Sequence, residues 1–194
     1  MTGIGGQGVQ LAAQLLARAV VAEGRHVMMF GSYGGMMRGG NTDATLVVGD
    51  EPVQSPPTVA DAWSAIVMHH EYWQPTRDRL RPDALVVVNT TIVGANVWDG
   101  PSIDIAASEA AIGLGNAAVT TMVALGAYAA ATHLVRLESL VAALPDALPP
   151  YRTQHVAINE QALRHGHELV ERVTAPAWEA EGRADGPTRN AVPA

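Results

Sequence analysis

Apolar positions along this chain follow two periods. From Val9 to Glu23, Leu11, Leu15, Ala19 and Ala22 share one stripe with Leu16 and Val20 beside it, the repeat of an amphipathic helix. Gly24 follows the last periodic residue and predicts a left-handed stop there. Short β-branched or large apolar runs then predict strands at His26–Phe30, Ala44–Val48, Ala65–Met68, Leu85–Val88 and Ser102–Ile105. Leu85-Val86-Val87-Val88 is apolar at every position, as a central parallel strand covered on both faces must be. Val53–Ser55 reads as a short edge strand before Pro56-Pro57, and Thr58–Asp61 as a short helix or turn. Glu71–Leu80 reads as a helix, with Pro75 acceptable only near its first turn. After Ile105 the pattern turns helical: Ala107–Leu114, Ala118–Thr132, Leu137–Leu144 and about Gln154–Val173.

Strands alternate with helices through the first two-thirds. This predicts an α/β fold: three layers, with a largely parallel, Rossmann-like central sheet flanked by helices. A glycine loop such as Gly3-Ile4-Gly5-Gly6-Gln7-Gly8 ordinarily follows a full strand, yet only a stump stands before it here. The first strand is therefore expected to be truncated, or the start to lie upstream of Met1. Residues 1–174 read as one domain. Residues 175–194, rich in Pro, Gly, Ala and charge, read as a flexible tail.

Composition narrows the function. Apolar residues make up 48% of the 194 and charged residues 16%, against an ordinary charged share of ~25%. A chain so short of charge is expected to hide surface against partners, as a subunit does. Its 12 basic and 19 acidic residues give a net charge of −7, with no basic stripe, which argues against nucleic acid as a partner. With no Cys the chain holds no disulfide, Cys-ligated cluster or thiol nucleophile. That fits a cytoplasmic protein. No long apolar run or signal-like start is present, so no membrane is expected as a partner.

Candidate chemistry gathers in two glycine loops. The first satisfies G-x-G-x-x-G through Gly3, Gly5 and Gly8, a phosphate cradle at a helix start. A dinucleotide site also wants an acid at the end of the second strand, but Phe30-Gly31-Ser32 stands there. The plain alternative is a tight strand–helix turn made by Gly5 and Gly6, with Gln7 at the tip lining a site shared with another chain. In the second loop Arg38 either holds a carboxylate or phosphate, oriented by Tyr33 and Asn41, or pairs with an internal acid such as Asp43. Asn116 is placed as a helix N-cap, or as part of a ligand-facing helix start.

The histidines do not suggest a metal. His69 and His70 are neighbours on an extended chain, and His165 and His167 lie on different faces of a helix. His155, Asn159, Ala162 and Gly166 form a narrow small or polar stripe, read as helix–sheet packing. No nucleophile–base–orienter set is readable, so no catalytic residue is assigned.

In one order along the chain stand Gly3-Ile4-Gly5-Gly6-Gln7-Gly8-Val9, Ser32-Tyr33-Gly34-Gly35-Met36-Met37-Arg38-Gly39-Gly40, Gly115-Asn116 with Leu125-Gly126-Ala127, and Asn159, Ala162, Gly166. This series resembles the gamma subunit, or gamma domain, of the 2-oxoacid:ferredoxin oxidoreductases of the pyruvate, 2-ketoisovalerate, 2-oxoglutarate and indolepyruvate type. The resemblance runs from residue 1 to about 173. It implies one component of an enzyme that oxidatively decarboxylates a 2-oxoacid, usually to acyl-coenzyme A. Thiamine diphosphate, Mg and iron–sulfur clusters are then expected in alpha and beta partner subunits. Ferredoxin or a similar acceptor is expected to take the electrons. This chain alone is expected to bind no cofactor, with coenzyme A shared at most.

The resemblance makes Gly5, Gly6, Gln7, Tyr33, Arg38, Asn41 and Asn116 ligand- or interface-lining candidates. Gly35 and Met36 replace the family's usual Pro and Glu, which removes an acid beside Arg38 and hints at an aryl or branched substrate. The alternative from another class is a stand-alone nucleotide-binding oxidoreductase using the first loop. A third is a purely structural scaffold.

Overall fold

The computed structural model describes residues 1–33, 39–54, 59–171 and 173–178, with Tyr33 described by its backbone alone. One sheet of six strands runs in the order β2-β3-β1-β4-β5-β6. They are β1 (Thr2–Ile4), β2 (His26–Tyr33), β3 (Asn41–Gly49), β4 (Ala62–Val67), β5 (Leu80–Asn89) and β6 (Ser102–Ile105). Only β3 is reversed: it lies antiparallel to both neighbours, and the other pairings are parallel. The expected α/β, largely parallel sheet is present, with a first strand of three residues.

Helix α1 (Val9–Ala22) lies under β2 and β3, burying Leu15, Leu16, Ala19 and Val20. Helices α2 (Trp73–Arg77) and α3 (Thr90–Val93) belong to the opposite face, where Trp73 and Val93 pack on Val67, Val86 and Val88. Helices α4 (Ala107–Gly113), α5 (Thr120–Thr132), α6 (Leu137–Ala147) and α7 (Val156–Glu168) complete the α1 side. All 13 residues of α5 are buried. A helix apolar all round must be covered all round; α5 sits on the sheet and α7 lies across its back. A Cβ on Gly126 would strike the Leu163 carbonyl, and one on Gly166 the Val123 carbonyl. The stripe of Asn159, Ala162 and Gly166 therefore serves helix–helix contact, not the helix–sheet contact expected.

Other expectations shift for physical reasons. The run at 71–80 forms only the five-residue α2, because Leu80 already begins β5. Val53 and Gln54 join no strand, while Ser55 and Thr58 lie outside the described residues. α3 escaped the periodic reading because four residues are too few to show a period. The chain stays fastened to the core past residue 174: Ala175 and Ala177 N–H donate to the Ala131 and Thr132 carbonyls, and Trp178 Nε1 donates to Leu134 O. Arg25 lies 3.8 Å over the Trp178 ring. Residues 179–194 lie outside the described residues.

From β1 the chain crosses through α1 toward β2; from β4 it steps the other way through α2 to β5. The strand order reverses between β1 and β4. The carboxyl ends of those two strands are where ligands gather in open α/β sheets.

Candidate functional site

The first glycine loop leaves the carboxyl end of β1 and turns into α1. Gly6 and Gly8 hold φ of 102° and 83°, values L side chains rarely adopt, so this turn demands glycine. Gly8 caps α1 without a side chain, and the first turn of α1 carries no acid. Its N–H groups and helix dipole suit an anion.

Gln7 does not sit at the tip with a free side chain. Its Oε1 accepts from Ile4 N–H at 2.9 Å, and its Nε2 donates to Met68 O at 3.2 Å. The Thr121 hydroxyl donates to its carbonyl. One amide thus ties the end of β1 to the end of β4, and the backbone beneath it is tied to α5. Gly3 leaves room for that amide, since a Cβ there would come within 2.6 Å of Gln7 Oε1.

The second loop meets the first backbone to backbone. Gly5 N–H donates to Gly40 O at 2.8 Å. The contact follows from topology: β3 pairs antiparallel with β1, so Gly40, just ahead of β3, stands beside the glycine loop. Asn41 Nδ2 donates to Asp43 Oδ2 at 2.8 Å. Asn41 Oδ1 and Asp43 Oδ1 are buried acceptors without a hydrogen-bond partner among the described residues. Buried acceptors of this kind call for a donor. Arg38 and the side chain of Tyr33 lie outside the described residues, so both readings of Arg38 stand.

Asn116 behaves as an N-cap: its Oδ1 accepts from Ala118 N–H at 3.0 Å, ahead of the short 3₁₀ turn that leads into α5. The structure thus brings Gly5, Gly6, Gln7 and Asn41 together. It places Asn116 on the approach to α5, whose first turn supports Gln7.

Sequence reasoning set His69 and His70 on an extended chain and gave them no role. They follow Met68 at the carboxyl end of β4, one residue past the Gln7 contact. Neighbours on a strand face opposite ways, but β4 has already ended at Val67, and the rings stack with centroids 4.6 Å apart. Burial, then His70, holds the His69 imidazole below its ordinary pKa, with Glu71 opposing. His69 Nδ1 accepts from Glu71 N–H, and His70 Nδ1 donates to Ile92 O. The predicted strand already stopped at Met68, so the residues placed the pair beyond its end, but not the stacking of the two rings.

Among the described residues, the end of β2 gives a dinucleotide no acidic second anchor. β3 stands between β1 and β2, so the end of β2 is two strand spacings, about 10 Å, from the glycine loop. The pyruvate ferredoxin/flavodoxin oxidoreductase family model matches residues 1–169. The chain belongs to that family. The family's gamma-type members are its relatives by sequence. It is 31% identical to the pyruvate synthase subunit PorC of Methanothermobacter marburgensis, over 76% of this chain and 84% of that one. It is 26% identical to the 2-oxoglutarate synthase subunit KorC of Methanocaldococcus jannaschii, over 77% of this chain and 82% of that one. A keto/oxoacid ferredoxin oxidoreductase gamma subunit from Geobacter sulfurreducens shares the fold with a TM-score of 0.71 at 23% identity, covering 87% of this chain and 94% of that one. This member of the oxidoreductase family carries its joined glycine loops at the strand-order reversal.

Proposed function

We propose that this chain is the gamma subunit of a thiamine diphosphate-dependent 2-oxoacid:ferredoxin oxidoreductase. In this reading partner subunits carry the thiamine diphosphate and iron–sulfur centres. The observation that carries it is the family match over residues 1–169, spanning both glycine loops. The chain contributes surface and binding, not redox chemistry. Gly5, Gly6, Tyr33, Arg38, Asn41 and Asn116 are the residues we assign to the coenzyme A or substrate approach, or to the partner subunit that closes it. Gln7 acts there through its backbone, since its side chain braces the loop. The uncapped start of α1 and the Arg38 guanidinium are the groups that suit a phosphate.

The tests use the assembled enzyme. The tagged chain, purified from its native host, brings down larger subunits with thiamine diphosphate and iron. Isolation of a lone chain would count against the reading. In the intact complex Arg38→Ala lowers 2-oxoacid-dependent acceptor reduction and raises KM for coenzyme A. Full activity with unchanged KM would remove Arg38 from the site.

A further inference from the structure

The crevice over the carboxyl ends of β1 and β4 has two sides, and the start of α1 forms one of them. On the opposite face of the sheet β4 ends at Val67, and residues 69–72 lead into α2. The Thr2 hydroxyl donates to Tyr72 O at 3.2 Å, which ties that segment back to β1. Thr2 pairs with Val67 in parallel register. Carried two residues on, the register sets Ile4 beside His69, one strand spacing or about 4.8 Å away. The intervening pair agrees, since a Cβ on Gly3 would come within 3.1 Å of Met68 Cβ. His69 therefore stands where the first glycine loop leaves its strand.

Hydrogen bonds fix both rings and their protons. Glu71 N–H donates to His69 Nδ1 at 3.3 Å. A ring nitrogen that accepts carries no proton, so His69 is neutral and bears its proton on Nε2. Burial, then His70, favours the same neutral form, with the exposed Glu71 carboxylate opposing. His70 Nδ1 lies 3.2 Å from Ile92 O. A carbonyl can only accept, so this nitrogen donates. The rings stack with centroids 4.6 Å apart and planes inclined by 22°. Neither Nε2 has a hydrogen-bond partner among the described residues. A half-buried imidazole is thus held in one place and one tautomer, with its N–H unspent beside the ligand crevice.

We propose that His69 is a ligand-binding residue of this crevice, donating its Nε2–H to an anionic oxygen of the bound molecule. The surroundings point to that chemistry. Across the crevice stand the N–H groups of the α1 start, whose first turn carries no acid. A neutral imidazole adds a directed donor to them, and the bonds to Glu71 N–H and Ile92 O mean that the pair does not have to be ordered when the ligand arrives. The identity of the oxygen rests on the proposed function: a phosphate of coenzyme A or the carboxylate of the 2-oxoacid. The site itself is made of this chain's own groups.

Inorganic pyrophosphate is the probe for the full chain. With its histidines labelled with nitrogen-15, titration at constant ionic strength should shift the His69 Nε2 resonance saturably. By calorimetry His69→Ala should raise the pyrophosphate Kd about tenfold or more, the scale of a hydrogen bond to a charged group. His69→Gln keeps a neutral N–H donor and should recover most of that loss, which a ring that merely fills space would not allow. A His69 resonance that stays still, or a Kd unchanged in His69→Ala, overturns the proposal. The assembled enzyme then identifies the oxygen. There His69→Ala should raise one KM about tenfold and leave kcat nearly unchanged, as loss of uniform binding does. A raised KM for coenzyme A assigns a phosphate, and a raised KM for the 2-oxoacid assigns its carboxylate. A saturable pyrophosphate shift with both KM values unchanged upholds the anion site and overturns its use in the proposed reaction.

Discussion

The Gln7 amide bridges strands whose own pairing is a single residue, accepting from Ile4 N–H and donating to Met68 O. Removing it strands one backbone donor and one backbone acceptor in a half-buried place. Gln7→Ala should therefore cost about 1–3 kcal/mol. The urea midpoint should fall with the m-value unchanged. An unchanged midpoint would mean that water replaces the amide. The residue type alone did not disclose this role. A polar side chain in a glycine loop reads equally as a ligand contact or an internal brace, and the deciding neighbour, Met68, is remote in sequence. Asn116 is the opposite case: its N-cap role rests on a neighbour two positions along, which the sequence does show.

Helices here are held by groups from other elements. Helix α6 has no side-chain cap of its own. Glu23, at the end of α1, accepts from Arg136 N–H at 2.8 Å at the start of α6. Burial pushes the Glu23 carboxyl up, but hydrogen bonds from Ser139 and Arg136 outweigh it and hold it below its ordinary value. A lowered folded pKa stabilises above the unfolded value, near 4.5, and the contribution is lost as pH falls through the folded value. Glu23→Gln should flatten the acid limb of a stability–pH curve below that point and leave its slope near neutrality alone. An unaltered acid limb would show that other carboxylates carry it.

The α5–α7 crossing makes a steeper demand, because the obstruction is backbone. Gly166→Ala sets a methyl against the Val123 carbonyl. It should cost about 3 kcal/mol, the upper end for overpacking, and release α7 amides to hydrogen exchange before the rest of the fold. Unchanged α7 protection would mean that the helices can slide apart cheaply. The stripe itself was readable from its spacing. Its partner was not, since small residues admit any close surface, sheet or helix.

At the scale of the molecule, alternation of strands and helices sufficed for the α/β class, and Leu85–Val88 for a buried parallel strand, which lies one place in from the edge and not at the centre. The reversal of β3 and its insertion between β1 and β2 were not legible, because pairing partners leave no mark on a strand's own residues. That insertion bears directly on ligand choice. A βαβ unit that binds a dinucleotide sets its second strand beside the first, with the ribose-binding acid at its end. Here β3 takes that place, and the far end of β2 offers Phe30, Gly31 and Ser32. The pyrophosphate end of a dinucleotide would find a glycine loop, and the described end of β2 would offer the ribose no acid. The isolated chain should therefore show no saturable binding of a nicotinamide or flavin dinucleotide at micromolar concentration, by calorimetry or by quenching of its tryptophan fluorescence. Stoichiometric binding would mean that the loop anchors a nucleotide without the second strand, and would return the stand-alone oxidoreductase to the front.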